Sequence, residues 1–226
     1  MSGVSYKGIK TIVWDFDGTL INSFGVFCEV TSEVLKLHGR PVPIIEVMSQ
    51  NFHGSLEDSV NNSAGGLEPD VLEAVMKDWL KVQNKHYEVA EQHLFADALE
   101  LARRAKEAGI KQVIVTNRAH KGRLNGSPRS IVANSSLKDL IEQVIAGDDG
   151  PHRKPLIEVF DGAPPDGSTT LVVGDQYVDI LFANNLGARA IIVNRGSETL
   201  AHLDKLHDSW QDHTEVVASL DTVTLG

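Results

Sequence analysis

Three things are scarce in this sequence of 226 residues: cysteine, basic charge and long apolar runs. Its single cysteine, Cys28, cannot form an internal disulfide, which indicates a reducing compartment. No apolar run reaches the length of a membrane-spanning helix, and the first ten residues lack the pattern of a signal peptide. We therefore expect a cytoplasmic protein with no membrane partner.

Basic residues are outnumbered, with 21 Lys and Arg against 31 Asp and Glu, and the formal net charge is −10. This balance argues against broad contact with nucleic acid or an anionic membrane, since both require a positive face. It is compatible with a small phosphorylated substrate, because one metal ion and one or two cationic side chains can reverse the field locally. The oligomeric state is left open by the sequence.

Short apolar runs alternate with helical patterns along most of the chain. Helices are predicted at 96–108 and 179–186, with Gly109 and Gly187 as their C-terminal stops. Strands are predicted at 9–14, 111–115, 169–173 and 188–193, with a further candidate at 141–146. The alternation predicts an α/β fold with a doubly wound parallel sheet, in which ligands bind beyond the carboxyl ends of the strands.

The stretch 24–93 has helical patterns and no convincing strand. Apolar residues recur at Val26, Val30 and Val34, and a second helical pattern, with Pro69 suited to its first turn, runs through Trp79. The pattern predicts an all-helical insertion after the first strand. The chain would then consist of a core, 1–23 and 94–226, and an insertion, 24–93.

Two carboxylates, Asp15 and Asp17, follow the first predicted strand, and Gly18 permits a tight turn after them. One carboxylate can attack phosphorus while the other moves protons, or both can help to hold a metal ion. A pair of solvated turn residues is the alternative, because aspartate is common in turns.

Three further polar fragments occur later in the chain. Thr116 comes directly after a strand and can donate to a phosphate oxygen, although a turn threonine is the alternative. Lys154 precedes a pattern predicted to be helical and can neutralise a carboxylate and a phosphate; an ordinary surface lysine is the alternative. Asp175 and Asp179 would share a face of a helix that begins near Asp175, where they suit Mg²⁺ or act as a cap and a first-turn residue.

In combination, these fragments resemble the haloacid dehalogenase-like hydrolases. The matching segments, in the family's order, are Asp15-Phe16-Asp17-Gly18-Thr19-Leu20, Thr116-Asn117, Lys154-Pro155, and Gly174-Asp175 with Asp179. The resemblance implies a magnesium-dependent phosphatase that acts on a small phosphorylated metabolite.

The same resemblance implies a role for each residue. Asp15 would be the nucleophile that forms an aspartyl-phosphate, and Asp17 would be the acid and base. Thr116 and Lys154, with the neighbouring Asn117, would hold the phosphate. The metal would be bound by Asp15, the backbone carbonyl of Asp17, and Asp175, with Asp179 as a ligand or a support.

The insertion resembles the cap of the phosphoglycolate-phosphatase and β-phosphoglucomutase branch. Leu56 stands where the mutases carry a phosphate-binding arginine, which argues against a phosphomutase. A phosphonate hydrolase would need a cap lysine, for which Lys36, Lys77, Lys81 and Lys85 are candidates. Asp17 argues against a dehalogenase, and the presence of the family's acidic residues and lysine argues against a retired, non-catalytic binding module.

A basic group follows Thr116 in the sequence: Arg118, Lys121 and Arg123. Because this loop begins at the functional edge of the sheet, Arg118 is a candidate for contact with the distal part of the substrate. A solvated basic loop is the alternative.

Overall fold

A computed structural model describes residues 4–52, 55–195 and 213–226. Its main feature is a six-stranded parallel sheet in the order β4-β3-β2-β5-β6-β7, beside which β1 and β8 form a separate parallel pair. The strands are β1 (Val4–Tyr6), β2 (Thr11–Trp14), β3 (Lys111–Val115), β4 (Gln143–Ile145), β5 (Thr170–Gly174), β6 (Arg189–Val193), β7 (Thr214–Val217) and β8 (Val223–Leu225). The doubly wound α/β prediction is confirmed.

The sheet's strand order reverses at β2, which lies between β3 and β5. The chain leaves β2 for β3 and β4 on one side, then crosses to β5, β6 and β7 on the other. In open parallel sheets this switch point opens a crevice beyond the carboxyl ends of the strands. The residues that follow β2, β3 and β5 therefore meet at one edge.

The central strands β2, β3, β5 and β6 are mostly apolar and buried on both faces, whereas the edge strands β4 and β7 are partly exposed. Ile12 and Trp14 pack into one core cluster, whereas Val13, between them, packs into a second cluster on the other face with Phe182. The Trp14 indole donates a 3.0 Å hydrogen bond to Gln112 Oε1, which satisfies two buried polar groups. Trp14 is thus a core residue next to the functional edge.

Seven α-helices are described. They are α1 (Ser23–Leu37), α2 (Ile45–Asn51), α3 (Leu56–Ser63), α4 (Pro69–His86), α5 (Ala96–Glu107), α6 (Pro128–Ala133) and α7 (Tyr177–Leu186). The first four, with a 3₁₀ segment at Tyr87–His93, lie between β2 and β3, and no strand interrupts them in the described part of this insertion. None of the described helices has the length and apolarity needed to cross a membrane.

The insertion's two long helices follow the predicted patterns. Helix α1 buries Val26, Val30 and Val34, and α4 begins at Pro69 and buries Trp79. The sequence did not predict α2 or α3. Both are short, and α2 buries a single side chain, so neither has a strong apolar period.

Two local predictions near the site were wrong. A helix was expected after Lys154, but the chain forms only a 3₁₀ turn at Ile157–Phe160 with no buried residue. Helix α7 begins at Tyr177 instead of near Asp175, because Gln176 caps it in a capping box with Asp179. Asp175 therefore lies between the strand and the helix and does not share a helix face with Asp179.

Candidate active site

Asp15 lies just beyond β2, where its backbone N–H donates to Val173 O at 2.8 Å and so continues the pairing of β2 with β5. Its carboxylate accepts a hydrogen bond from Lys154 Nζ. The same ammonium donates to Asp179 Oδ1 at 2.6 Å, and only 6% of Lys154 is exposed. One buried lysine thus joins carboxylates from two separate segments of the chain.

The Asp175 carboxylate packs against the turn that follows Asp15. Thr19 Oγ1 donates to Asp175 Oδ1 at 3.2 Å. Gly18 has φ +78°, and a Cβ added there would lie 2.3 Å from Asp175 Oδ2. Position 18 therefore requires glycine both for its backbone conformation and for the space beside Asp175.

Asp179 is fixed at the start of α7. Its Oδ2 accepts from the Gln176 N–H at 3.1 Å, which leaves Oδ1 to accept from Lys154. Gly174 makes this approach possible, because a Cβ there would lie 2.3 Å from Asp179 Oδ2. The helix cap and the lysine contact use different oxygens of one carboxylate.

Asp15, Asp175 and Asp179 form a cluster in which one carboxylate oxygen from each lies within 4.8 Å of the others. Hard oxygen donors of this kind suit a divalent cation. With one lysine among three carboxylates, the cluster carries an excess of two negative charges when all four groups are ionised. The donor set thus fits a metal ion in both chemistry and charge.

The electrostatics of the cluster reflect this excess. Burial raises the pKa of Asp15 to about 7, with Lys154 opposing the rise and Asp179 adding to it. Burial, together with the charges of Asp15 and Asp179, raises the pKa of Asp175 well above its ordinary value. Burial alone would lower the pKa of Lys154. The charges and hydrogen bonds of its two carboxylate partners, Asp15 and Asp179, outweigh burial and raise it. A further positive charge would stabilise the ionised carboxylates.

Thr116 and Asn117 follow β3 at the same edge. Thr116 is buried, and its Oγ1 accepts from the Arg118 N–H at 3.1 Å. The Asn117 side chain contacts the Lys154 backbone twice, accepting from its N–H at 3.0 Å and donating to its C=O at 3.3 Å. Asn117, predicted to bind substrate, therefore also positions Lys154.

The Asp17 carboxylate contacts Arg118 and is not part of the acidic cluster. Arg118 Nη1 donates to Asp17 Oδ1 at 2.6 Å, and the guanidinium carbon lies 5.1 Å from the centre of the Tyr87 ring. The Asp17 carboxylate is thus not among the three clustered side chains, and the metal contact predicted for its backbone carbonyl stays a prediction.

A cavity of about 400 Å³ connects these groups with the helical insertion. The core contributes Asp15, Asp17, Thr116, Asn117, Arg118, Lys154 and Asp179 among its lining residues. The insertion contributes Phe27, Phe52, Leu56, Trp79, Gln83 and Tyr87 among others. Another cavity, of about 440 Å³, lies at the amino ends of β5, β6 and β7 and contains none of the predicted residues.

Sequence reasoning missed the insertion's share of this cavity. Trp79 was predicted to pack between helices, and it does, with its indole donating to Thr31 Oγ1 at 3.0 Å, but it also lines the cavity. Tyr87 and Gln83 were not singled out. Gln83 lies on α4 and Tyr87 lies at the start of the 3₁₀ segment that follows it. Their spacing is compatible with ordinary core packing, so the sequence did not distinguish a packing residue from a cavity-lining residue.

The sequence matches the haloacid dehalogenase-like hydrolase family over residues 12–193. A phosphoglycolate phosphatase of Rhodobacter capsulatus is 28% identical over 208 residues, covering 87% of this chain and 92% of the relative. A pyrophosphatase PpaX of Bacillus cereus is 25% identical over 204 residues, covering 87% and 88%. The structure of CbbY from Rhodobacter sphaeroides with phosphate superimposes with a TM-score of 0.64 at 15% identity, covering 94% and 95%, which shows a shared fold.

The chain belongs to the haloacid dehalogenase-like hydrolase family. Its curated relatives place it in the phosphatase branch of that family, and the prediction of an enzyme of this class is confirmed.

Proposed function

We propose that this enzyme is a Mg²⁺-dependent phosphatase that hydrolyses a small phosphomonoester through an aspartyl-phosphate on Asp15. The observation that carries the proposal is the contact of the Asp15 carboxylate with buried Lys154 inside a cluster of three carboxylates. A carboxylate is a weak nucleophile and is repelled by a phosphate dianion. Positive charge around it removes that repulsion.

In the first step an Asp15 oxygen bonds to phosphorus while the bond from phosphorus to the leaving-group oxygen breaks. Asp17 gives that oxygen a proton, which completes the alcohol product. In the second step Asp17 takes a proton from a water molecule whose oxygen attacks phosphorus and releases Asp15. One group can serve as acid and then base because the first step leaves it deprotonated.

Asp15, the Asp17 carbonyl and Asp175 would hold Mg²⁺, with Asp179 supporting the site through Lys154. When bound, Mg²⁺ supplies charge that keeps the carboxylates ionised and neutralises phosphate oxygens. Thr116 and Lys154 would bind phosphate oxygens, and Asn117 would keep Lys154 in place.

The insertion, residues 24–93, would act as a cap on the core formed by 1–23 and 94–226. Its side chains line one wall of the cavity, which supports a role in excluding water and selecting the substrate. A cavity of about 400 Å³ favours compact phosphomonoesters over bulky ones. The lone cysteine supports a cytoplasmic location.

Two relatives with named substrates support phosphate chemistry of this kind, a phosphoglycolate phosphatase and a pyrophosphatase. The rival phosphonate hydrolase has less support, since Lys36, Lys77, Lys81 and Lys85 are all exposed and are not among the described cavity-lining residues. Leu56 lines the cavity where the mutases carry a phosphate-binding arginine, so the insertion lacks that mutase contact, which disfavours a mutase.

A phosphatase assay tests the proposal. Hydrolysis of p-nitrophenyl phosphate and phosphoglycolate is measured with Mg²⁺ and with EDTA, in the wild type, Asp15→Asn and Asp70→Asn. We expect Asp15→Asn and metal removal to lower the rate by about 10⁴-fold or more. Asp70→Asn, a change at an exposed aspartate in the first turn of α4, should leave it unchanged. Turnover that persists in folded Asp15→Asn would refute the proposed nucleophile.

A further inference from the structure

Charge is unevenly distributed along the cavity. Three carboxylates surround one ammonium in the acidic cluster, as described above. Two guanidinium groups, Arg118 and Arg123, line the same cavity together with Asp17, the carboxylate that Arg118 contacts. The part of the cavity lined by these three residues therefore carries an excess of positive charge, in a protein whose net charge is −10.

Arg118 is buried and only partly satisfied. One of its nitrogens, Nη1, binds Asp17, but Nε and Nη2 have no hydrogen-bond partner among the described residues. The side chain is 5% exposed and stacks near Tyr87 and Phe16. Unpaired buried donors are costly, so they are normally satisfied by a ligand or by water.

Arg123 lies in the same region on the loop between β3 and α6. Burial and the nearby charge of Arg118 lower the pKa of its guanidinium. Arg123 is partly buried, and the charge of Asp17 offsets part of the repulsion between the two arginines. A further anion would stabilise both guanidinium groups. Exposed Lys121, on the same loop, does not line the cavity.

The loop that carries both arginines is attached to the insertion. Asn125 Nδ2 donates to Asn84 O at 3.3 Å, and the Gly126 N–H donates to Asn84 Oδ1 at 3.4 Å. The adjacent residue of α4, Gln83, lines the cavity, and its buried Oε1 also lacks a hydrogen-bond partner among the described residues. Residues with unpaired polar atoms thus line the cavity from both the core and the insertion.

We propose that Arg118 and Arg123 form a subsite for an anionic group in the leaving-group part of the substrate, a carboxylate or a second phosphate, on the side of the cavity lined by Asp17. The subsite rests on the proposed phosphatase function, because it presumes that the scissile phosphate lies at the acidic cluster and that Asp17 faces the leaving group. Guanidinium groups bind planar oxyanions through paired N–H donors, which a hydroxyl group cannot replace. The enzyme thus selects compact phosphomonoesters that carry a second anionic group.

The first test compares two substrates of nearly equal size, phosphoglycolate and 2-hydroxyethyl phosphate, which differ in a carboxylate or a hydroxymethyl group. We expect the wild type to prefer phosphoglycolate in kcat/KM by about 10- to 100-fold, the effect of a charge-assisted hydrogen bond. Arg123→Gln should lower this preference by about tenfold, whereas Lys121→Gln should keep it. A wild-type preference near one, or a preference unchanged in Arg123→Gln, overturns the subsite.

A binding measurement separates this proposal from the phosphatase proposal. Calorimetry on the Asp15→Asn variant with Mg²⁺ measures Kd for phosphoglycolate, pyrophosphate and 2-hydroxyethyl phosphate without turnover. Tighter binding of phosphoglycolate or pyrophosphate, the two probes with a second anionic group, supports the subsite if Arg123→Gln weakens it at unchanged Tm, even if no hydrolysis is found in the wild type. Equal Kd values for all three compounds overturn it even if the enzyme is an active phosphatase. Whichever of phosphoglycolate and pyrophosphate has the lower Kd shows whether the subsite prefers a carboxylate or a phosphate.

Discussion

At the scale of single residues, position 18 requires glycine for two reasons, its positive φ and the space that Asp175 occupies. Gly8 shares only the first of these, so a comparison of the two positions separates them. Gly18 and Gly8 have similar backbone conformations, with φ of +78° and +73°. A Cβ at Gly8 would meet nothing within 4 Å, whereas one at Gly18 would lie 2.3 Å from Asp175.

Alanine at each position should therefore have different consequences. Both Gly8→Ala and Gly18→Ala should lose about 1–2 kcal/mol of stability from the left-handed conformation. Gly18→Ala should also displace Asp175 and lower kcat/KM by about 100-fold or more. Thermal unfolding and steady-state kinetics check both effects. Equal activity in the two variants would show that the space beside Asp175 has no role in catalysis.

A second residue pair tests how Lys154 is held. Asn117→Ala removes two hydrogen bonds to the Lys154 backbone, and Asn185→Ala removes one exposed bond of 2.9 Å to the neighbouring Pro155 carbonyl. We expect kcat to fall about 10- to 100-fold in Asn117→Ala, since a small misplacement of the lysine weakens charge stabilisation. Asn185→Ala should keep the wild-type kcat. Similar kcat values for the two variants would contradict the positioning role of Asn117.

The sequence predicted the individual members of the site because they occur in a recognisable order after apolar strands. It did not predict the contact of Asp17 with Arg118, which joins residues 101 positions apart. That contact depends on how the loop after β3 folds back over the turn after β2. Residue type and spacing carry no information on this folding.

At the scale of elements, apolar patterns located the two helices predicted in the core. Helix α5 begins at the predicted Ala96 and ends one residue before the predicted 108. Helix α7 begins at Tyr177, between the two expected starts near Asp175 and at 179, because the reciprocal bonds of Gln176 and Asp179 define its first turn. A pattern of apolar residues locates a helix, but the side chains at its end fix its first residue.

One ion pair ties three elements together and gives a pH-dependent prediction. Asp97, in the first turn of α5, accepts from Arg195 after β6 at 2.7 and 2.9 Å, and from the Leu220 N–H at 2.9 Å. Burial disfavours the charged carboxylate, but these hydrogen bonds outweigh it and hold the pKa of Asp97 below its ordinary value. Because the folded pKa is depressed, the stabilisation is complete above the unfolded pKa of about 4 and is lost as the pH falls through the folded pKa.

We expect Asp97→Asn to lower the free energy of unfolding by about 1.5–3 kcal/mol at pH 7, with a difference that shrinks towards pH 3. Urea unfolding at several pH values measures it. Glu100→Gln is the matched control on the same helix, since its 3.8 Å pair with Arg103 is exposed and should contribute less than about 1 kcal/mol. A stability difference for Asp97→Asn that does not change with pH would contradict the prediction.

At the scale of the whole molecule, the switch point of the sheet explains why distant residues meet. Parallel strands end at one edge, so Asp15, Thr116 and Asp175 converge although about 160 positions separate the first from the last. This convergence was predictable from the alternation of strands and helices. The cavity was not, because its shape depends on how α4 contacts the core loop through Asn84.

The most direct measurement is an anomalous difference map from crystals grown with Mn²⁺ and orthophosphate, in which Mn²⁺ replaces Mg²⁺. We expect one strong peak bonded to carboxylate oxygens of Asp15 and Asp175, with phosphate beside it in contact with Lys154 and Thr116. A well-ordered map with no metal at these carboxylates, or with phosphate bound elsewhere, would contradict the proposed chemistry.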